Sequence, residues 1–354
     1  MEINELLRNS LRNKNCNFKI KSPVICGAFF MNGLRTTFNG CALTGFRKFV
    51  YPIILKKLEM KLRVVLLLCV IAFKSFSQNN VLVFQSDFGL KDGAVSAMKG
   101  VAMGVSTDLK IFDLTHEIPA YNIWEAAYRL SQTAQYYPAG TVFVSVCDPG
   151  VGTARQSVVL LTKSGHYFVT PDNGTLTLIA EQLGIQEIRE IDEVKNRRQN
   201  SNESYTFHGR DVYAFTGARL ASKTITFEEV GRKLPNEVVK IDYQKPVFEK
   251  GVIKGGIPVL DVQYGNVWTN IDKKTVSNLD LKAGDLVKVQ VFKGTKKVYE
   301  GKLKLVNTFG EAAIGTEVCY FNSLLNFSLA VNQGNFSEKH KVYSGAHWSI
   351  LVSK

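Results

Sequence analysis

Residues 141–155 read Thr141-Val142-Phe143-Val144-Ser145-Val146-Cys147-Asp148-Pro149-Gly150-Val151-Gly152-Thr153-Ala154-Arg155, and their reading decides the fold. The first six are β-branched, aromatic or small, the pattern of a buried strand. Asp-Pro-Gly ends that strand, because proline has no N–H to donate and glycine accepts positive φ. An acid and a guanidinium, Asp148 and Arg155, therefore sit beyond its carboxyl end. In open α/β sheets that edge is where ligands bind, so the stretch reads as half of an active site. The other half comes about fifty residues later, at Thr206-Phe207-His208-Gly209-Arg210-Asp211.

Outward from this strand, elements alternate. Residues 81–84 form a strand that ends in Ser86-Asp87-Phe88-Gly89, with a helical stretch from Asp92. Residues 110–114 form a second strand, and Thr115-His116-Glu117 leads to a helix over about 122–137. Strands follow at 157–162 and 167–170, a helix at 176–183 after Pro171-Asp172-Asn173-Gly174, and a helix at 211–222. The alternation predicts an α/β domain with a largely parallel sheet and flanking helices over residues 78–242. Beyond Asp242 the helix signal fades. Strand-like runs at 257–262, 285–293, 298–305 and 327–331, broken by glycine turns, predict a smaller β domain over 243–354. The polar run 195–204, just before His208, reads as a mobile loop at the mouth of the site.

Chain length, 354 residues, fits about two domains. The net charge of +13 is lopsided: residues 1–77 hold 13 of the 44 basic and 3 of the 31 acidic residues, which leaves 31 against 28 beyond. The folded part is nearly neutral and lacks the basic footprint of a nucleic-acid binder. Met60-Lys61-Leu62-Arg63, the apolar run 64–73, and Ser75 and Ser77 have the form of a signal peptide over 60–77. The expectation is an exported protein whose true start is Met60, with residues 1–59 an over-extension; a basic extension with an uncleaved anchor is the rival. Only Cys147 and Cys319 remain in the mature chain, too few for a disulfide framework and without a CxxC pair for zinc. Strand alternation points Cys147 away from Asp148, so it reads as a buried structural cysteine.

These motifs, with Asp113-Leu114-Thr115-His116 and Tyr264-Gly265-Asn266-Val267-Trp268-Thr269-Asn270, resemble the S-adenosylmethionine hydroxide adenosyltransferases and their relatives the fluorinase and chlorinase. Six stretches match in order, from about Asn80 to the C-terminus. The resemblance implies an N-terminal α/β domain, a C-terminal β-barrel, and a homotrimer with sites between subunits. It also implies hydrolysis of S-adenosyl-L-methionine to adenosine and L-methionine, with no cofactor.

It places the catalytic groups at Asp148, Arg155 and His208. Attack at C5′ expels a neutral thioether from a sulfonium, so the leaving group needs no acid and the task is to orient and deprotonate water. His208 beside Asp148 suits that task, the carboxylate orienting the imidazole while Arg155 favours developing hydroxide. Which of Asp148 and His208 first receives the proton stays open. For substrate binding the resemblance assigns Asp87 to the ribose hydroxyls, Tyr121 to the sugar, Asn266 to the adenine edge and Phe309 to the base face. Asp92, Asp261 and Ser323 fall around the methionine ammonium. His116 reads as a structural hydrogen-bonder. A metal reading through Asp87, Asp113, His116, Asp148 and His208 lacks tight ligand spacing.

Two departures from the halogenases fix the subfamily. Asp148 and His208 stand where they carry an uncharged residue and a tyrosine, and a carboxylate there repels halide. Leu324 replaces their arginine, so no partner for the methionine carboxylate is assigned. The alternative from another class is an exported nucleoside- or sulfonium-binding protein without turnover.

Overall fold

The computed structural model describes residues 79–354; the expectations for 1–59 and for the signal peptide at 60–77 lie outside them. The chain forms a mixed α/β fold built on two sheets. Among the described residues no helix is long and apolar enough to cross a membrane.

The first sheet contains β1 (Val81–Ser86), β2 (Lys110–Thr115), β3 (Val142–Val146), β4 (Ser157–Thr162), β5 (Tyr167–Pro171), β6 (Ile185–Glu190) and β7 (Lys233–Leu234), in the order β2-β1-β3-β5-β4-β6-β7. Helices α1 (Ala94–Val105), α2 (Ile123–Ala134), α3 (Thr177–Leu183) and α4 (Phe215–Ala221) connect or flank these strands. Strands β2, β1, β3 and β5 run parallel, whereas β4, β6 and β7 pair antiparallel. The expectation of a largely parallel sheet thus holds for four strands only. Its physical limit is the short Lys163–His166 connection between β4 and β5, closed by Gly165 at φ +81°, which is too tight for a crossover helix.

The core is legible in the strands. Every residue of β3, β4 and β5 is buried, as continuous apolar runs demand. Leu82, Phe84, Val144 and Met98 pack on one face, against Val212 and Ala218 from the segment after His208. Gly217 lets that segment approach, since a Cβ there would lie 2.4 Å from Val144 Cγ2. The expected 211–222 helix proves to be two pieces: a π-helical turn, Gly209–Ala214, runs into α4. Such turns are uncommon and often sit at functional sites.

The second sheet comprises β8 (Val247–Glu249), β9 (Val252–Gly256), β10 (Val259–Asp261), β11 (Asn266–Asp272), β12 (Leu286–Lys293), β13 (Lys296–Leu305), β14 (Glu317–Phe321), β15 (Asn326–Val331) and β16 (Trp348–Ser353). Its order is β10-β11-β15-β14-β13-β12-β16-β9-β8, antiparallel except at β13·β14, and the two outer strands do not pair with each other. Alternating positions such as Val287, Val289 and Val291 bury one face around Phe327 and Ile350. Trp124 of α2 ties the two sheets by donating Nε1–H to Pro258 O at 3.0 Å and packing on Tyr243.

Candidate functional site

Parallel pairing of β1 with β3, in register Ser86↔Val146, delivers the residues after both strands to one edge. Asp87 N–H donates to Val146 O at 3.2 Å, which seats Asp87 beside the Cys147-Asp148 turn. Strand β2 lies on the other side of β1, so the chain reverses its order across β1 and opens a crevice there. Asp87, Phe88, Tyr121, Asp148, Phe207 and His208 line a cleft of about 250 Å³ at this edge. The two sequence halves, Asp148 and His208, therefore meet as expected.

Among the described residues, Asp148 is engaged by Arg155 alone of the charged groups. Arg155 Nε donates to both carboxylate oxygens at 3.0 and 3.1 Å, and Nη2 donates to Oδ2 at 2.6 Å. The side chains are 5% and 11% exposed, so this is a nearly dry, fork-on-carboxylate pair. Burial disfavours the guanidinium charge, but Asp148 outweighs it and holds the Arg155 pKa above its usual value. Arg155 does not itself line the cleft and reaches it through Asp148.

The expected Asp148–His208 orienting contact is corrected by the geometry. His208 Nε2 faces Glu193 Oε2 at 3.3 Å and Arg197 Nη2 at 3.2 Å, while Asp148 is held by Arg155. Glu193 follows the end of β6, where it reads in sequence as a solvated charge. Its carboxyl is held at about 2, chiefly by the His208 hydrogen bond, against the opposing effect of burial and with help from Ser157 and Arg197. The expected loop at 195–204 is anchored in part: Asn196, Arg197 (8% exposed) and Ser201 are buried, while 199–200 and 202–204 are exposed. The segment is pinned by Asp211, whose carboxylate accepts from Arg198 Nε at 3.0 Å and Arg210 Nε at 2.8 Å. Gly209 permits the close approach of His208's turn to the sheet, since a Cβ there would lie 3.0 Å from the Phe88 ring.

Asp87 Oδ2 accepts from Tyr121 N–H at 2.9 Å and faces the Cys147 thiol at 3.6 Å. Tyr121 holds φ +68° with its ring exposed over the cleft. Cys147 is fully buried; burial, then Asp87 and Asp148, push its thiol far up, as fits an inert core cysteine. His116 bridges Ser86 Oγ at 2.7 Å and Asp113 at 3.1 Å, the structural role expected. Among the described residues no group of three or more His, Cys, Asp or Glu is placed to hold a metal ion.

Four of the remaining expected residues converge elsewhere. Asp261, Asn266, Phe309 and Ser323 line a cleft of about 850 Å³ on the second sheet, with Trp268, Tyr320 and Asn322. Asn266 Nδ2 donates to Asp261 at 3.2 Å, and Phe309 packs on Tyr320 with ring centroids 5.0 Å apart. Asn322, which no sequence pattern flagged, is buried with Nδ2 lacking a partner among the described residues. Asp92 enters neither cleft; its Oδ1 accepts from Ala94 N–H at 2.8 Å at the start of α1. The two clefts share no lining residue.

Comparison with known proteins agrees with this geometry. Family models described as the SAM hydroxide adenosyltransferase N-terminal and C-terminal domains match residues 82–231 and 255–349. A protein of Methanocaldococcus jannaschii named (R)-S-adenosyl-L-methionine hydrolase is 37% identical over 273 residues, 75% of this chain and 90% of its own. A fluorinase of Actinoplanes is 30% identical over 301 residues, 78% and 98% of the two chains. An uncharacterized conserved protein from Thermotoga maritima superposes with a TM-score of 0.71 at 34% identity, covering 77% of this chain and all of that one. The chain belongs to the SAM hydroxide adenosyltransferase family.

Proposed function

We propose that the protein hydrolyses S-adenosyl-L-methionine to adenosine and L-methionine by attack of an activated water on C5′, without a cofactor. The observation that carries this reading is the convergence of Asp87, Asp148 and His208 on one cleft at the carboxyl edge of β1 and β3. The hydrolase names of its relatives support it.

Asp87 uses Oδ2 to hold Tyr121 N–H, which leaves Oδ1 to accept from a ribose hydroxyl. The Tyr121 ring covers the sugar. Asp148, immobilised by Arg155, accepts a hydrogen bond from the water and fixes its orientation, while His208 takes the proton. Arg155 acts by holding the carboxylate, and its positive charge favours the hydroxide that develops nearby. A halide nucleophile is disfavoured, because the Asp148 carboxylate repels an anion at that position.

Adenine and the methionine ammonium are assigned to the second cleft, through Asn266, Phe309, Asp261 and Ser323. Because the two half-sites are separate within one chain, a homotrimer that sets residues 78–242 of one subunit against 243–354 of the next gives a complete site. Gly256 N–H donates to Asn270 Oδ1 at 2.8 Å, drawing β9 toward β11, which supports closure of the second sheet as a barrel. The basic, apolar and small-residue pattern at 60–77 supports export.

Subunit mixing tests this reading. Asp148→Asn and Asn266→Ala proteins are each expected to be inactive, and co-refolded mixtures to regain turnover through sites that combine two intact halves. Mixtures that stay inactive, while wild-type mixtures recover, would place both halves of the site in one subunit.

A further inference from the structure

Behind His208 lies a chain of polar groups of which Ser157, Tyr213 and Glu193 have no part in the roles above. Ser157 Oγ lies 2.9 Å from Arg155 Nη1, 3.1 Å from Tyr213 OH and 2.8 Å from Glu193 Oε1. A hydroxyl has one proton and two lone pairs. Arg155 and Glu193 can only donate and only accept, respectively, so Ser157 gives its proton to Glu193 and receives one from Arg155 and one from Tyr213. The relay has a single direction. It runs from Arg155 through Ser157 to Glu193 Oε1, and Glu193 Oε2 is then left to face His208 Nε2 at 3.3 Å and Arg197 Nη2 at 3.1 Å.

We infer that Glu193 is the positioning residue for His208: it holds the proton on Nε2 and leaves Nδ1 to accept the proton of the attacking water. This inference rests on the hydrolase reading for its chemistry and on geometry alone for the tautomer. His208 is 4% exposed. Arg197 Nη2, 3.2 Å from Nε2, can only donate and directs a hydrogen bond to Glu193 Oε2 at 3.1 Å, which leaves that carboxylate as the acceptor for an Nε2 proton. His208 Nδ1 is buried without a partner among the described residues. A protonated Nδ1 would be a buried donor with no acceptor, whereas a bare Nδ1 is the lone pair that the reaction needs. Held near 2 by its neighbours, Glu193 stays an acceptor throughout the neutral range.

The step balances. A water proton passes to Nδ1, the oxygen forms a bond to C5′, the C5′–S bond breaks, and its electron pair stays on sulfur as a neutral thioether. The positive charge of the sulfonium reappears as imidazolium between Glu193 and the cleft. Arg197, stacked under the Tyr205 ring at 4.8 Å, offsets the Glu193 charge and fixes the carboxylate from the other side.

Glu193→Gln in the full-length chain tests the assignment. The groups facing His208 are Glu193, Arg197 and the Tyr205 ring, with Asp148 across the cleft, so only the first is changed. We expect kcat to fall about 100-fold or more, KM to move less than about threefold, and the acid limb of the kcat profile to shift to lower pH, because imidazolium loses its counter-charge. Glu193→Asp restores part of the rate. Nitrogen-15 NMR of histidine-labelled protein, with His208→Ala to assign the signal, should show the Nε2–H form in wild type and its loss in Glu193→Gln. Wild-type kcat with an unshifted limb, or an Nδ1–H signal in wild type, would overturn the inference. If Glu193→Gln fails to fold, Ser157→Ala removes the carboxylate's other anchor and should lower kcat in the same direction; an unchanged rate there would also overturn it. A wild-type protein that does not turn over S-adenosylmethionine would sink the hydrolase reading, while the NMR arm would still decide the tautomer.

Discussion

Arg155→Met removes the fork that holds Asp148, and its cost can be worked from the structure. The wild-type pair has three N–H···O contacts of 2.6 to 3.1 Å, and the Asp148 side chain is 5% exposed. Methionine fills much of the volume, so packing loss is small and the dominant effect is a carboxylate stranded away from water. Breaking a buried pair in this way costs about 3–5 kcal/mol. Loss of the Nη1 bond to Ser157 adds about 1 kcal/mol. For a protein of this size, each kcal/mol lowers the melting temperature by roughly 2–4 °C, so a drop on the order of 10 °C is expected. The Asp148→Asn/Arg155→Met double variant removes both charges and should recover about 2 kcal/mol or more relative to the sum of the singles. Urea denaturation followed by circular dichroism reads all three proteins. A loss below about 1 kcal/mol for Arg155→Met, or strict additivity in the cycle, would refute the claim that the pair is dry and mutually dependent.

Gly217→Ala, whose Cβ would meet Val144 Cγ2 at 2.4 Å, should destabilise the protein by about 1–3 kcal/mol through overpacking, measured by the same denaturation; an unchanged midpoint would mean that α4 sits farther from β3. Cys147 and Cys319 are buried and their thiols are pushed up by burial, so peptide mapping after iodoacetamide at pH 8 should find both unmodified in native protein and modified after unfolding. Glu193, held at about 2 in the fold against an unfolded value near 4.5, contributes stability that is present above the unfolded value and lost as pH falls toward 2. Acid titration of Glu193→Gln should therefore show a shallower loss of stability over that window than wild type, and an identical slope would contradict the pairing.

The sequence made the cleft-bearing edge of the first sheet legible because its signals are local. A buried strand closed by Asp-Pro-Gly fixes where Asp148 stands, and parallel pairing then brings Asp87 alongside. Asn266, Phe309, Asp261 and Ser323 were named through the resemblance, and the fold brings them to one cleft. The orienting carboxylate was not legible. Glu193 follows a strand with little apolar signal and precedes a polar run, so its only marker is charge, which normally means solvent. Its place beside Ser157 depends on β6 pairing antiparallel to β4, a partner choice that residue periodicity does not encode. The same long-range pairing explains the half-antiparallel first sheet. The anchoring of the 195–204 loop was not legible because its arginines are neutralised by Glu193 and Asp211, groups that lie beyond the run itself. Asp92 was assigned through the resemblance, and in the fold its carboxylate serves the start of α1.

The most direct test of the central claim is mass spectrometry of the products formed by the full-length protein from S-adenosylmethionine in ¹⁸O-water, with chloride and fluoride present. The account predicts adenosine and methionine in equal amounts, with one ¹⁸O atom at the 5′ position of adenosine and none in methionine. Halogenated adenosine, or saturable binding without any product, would contradict it.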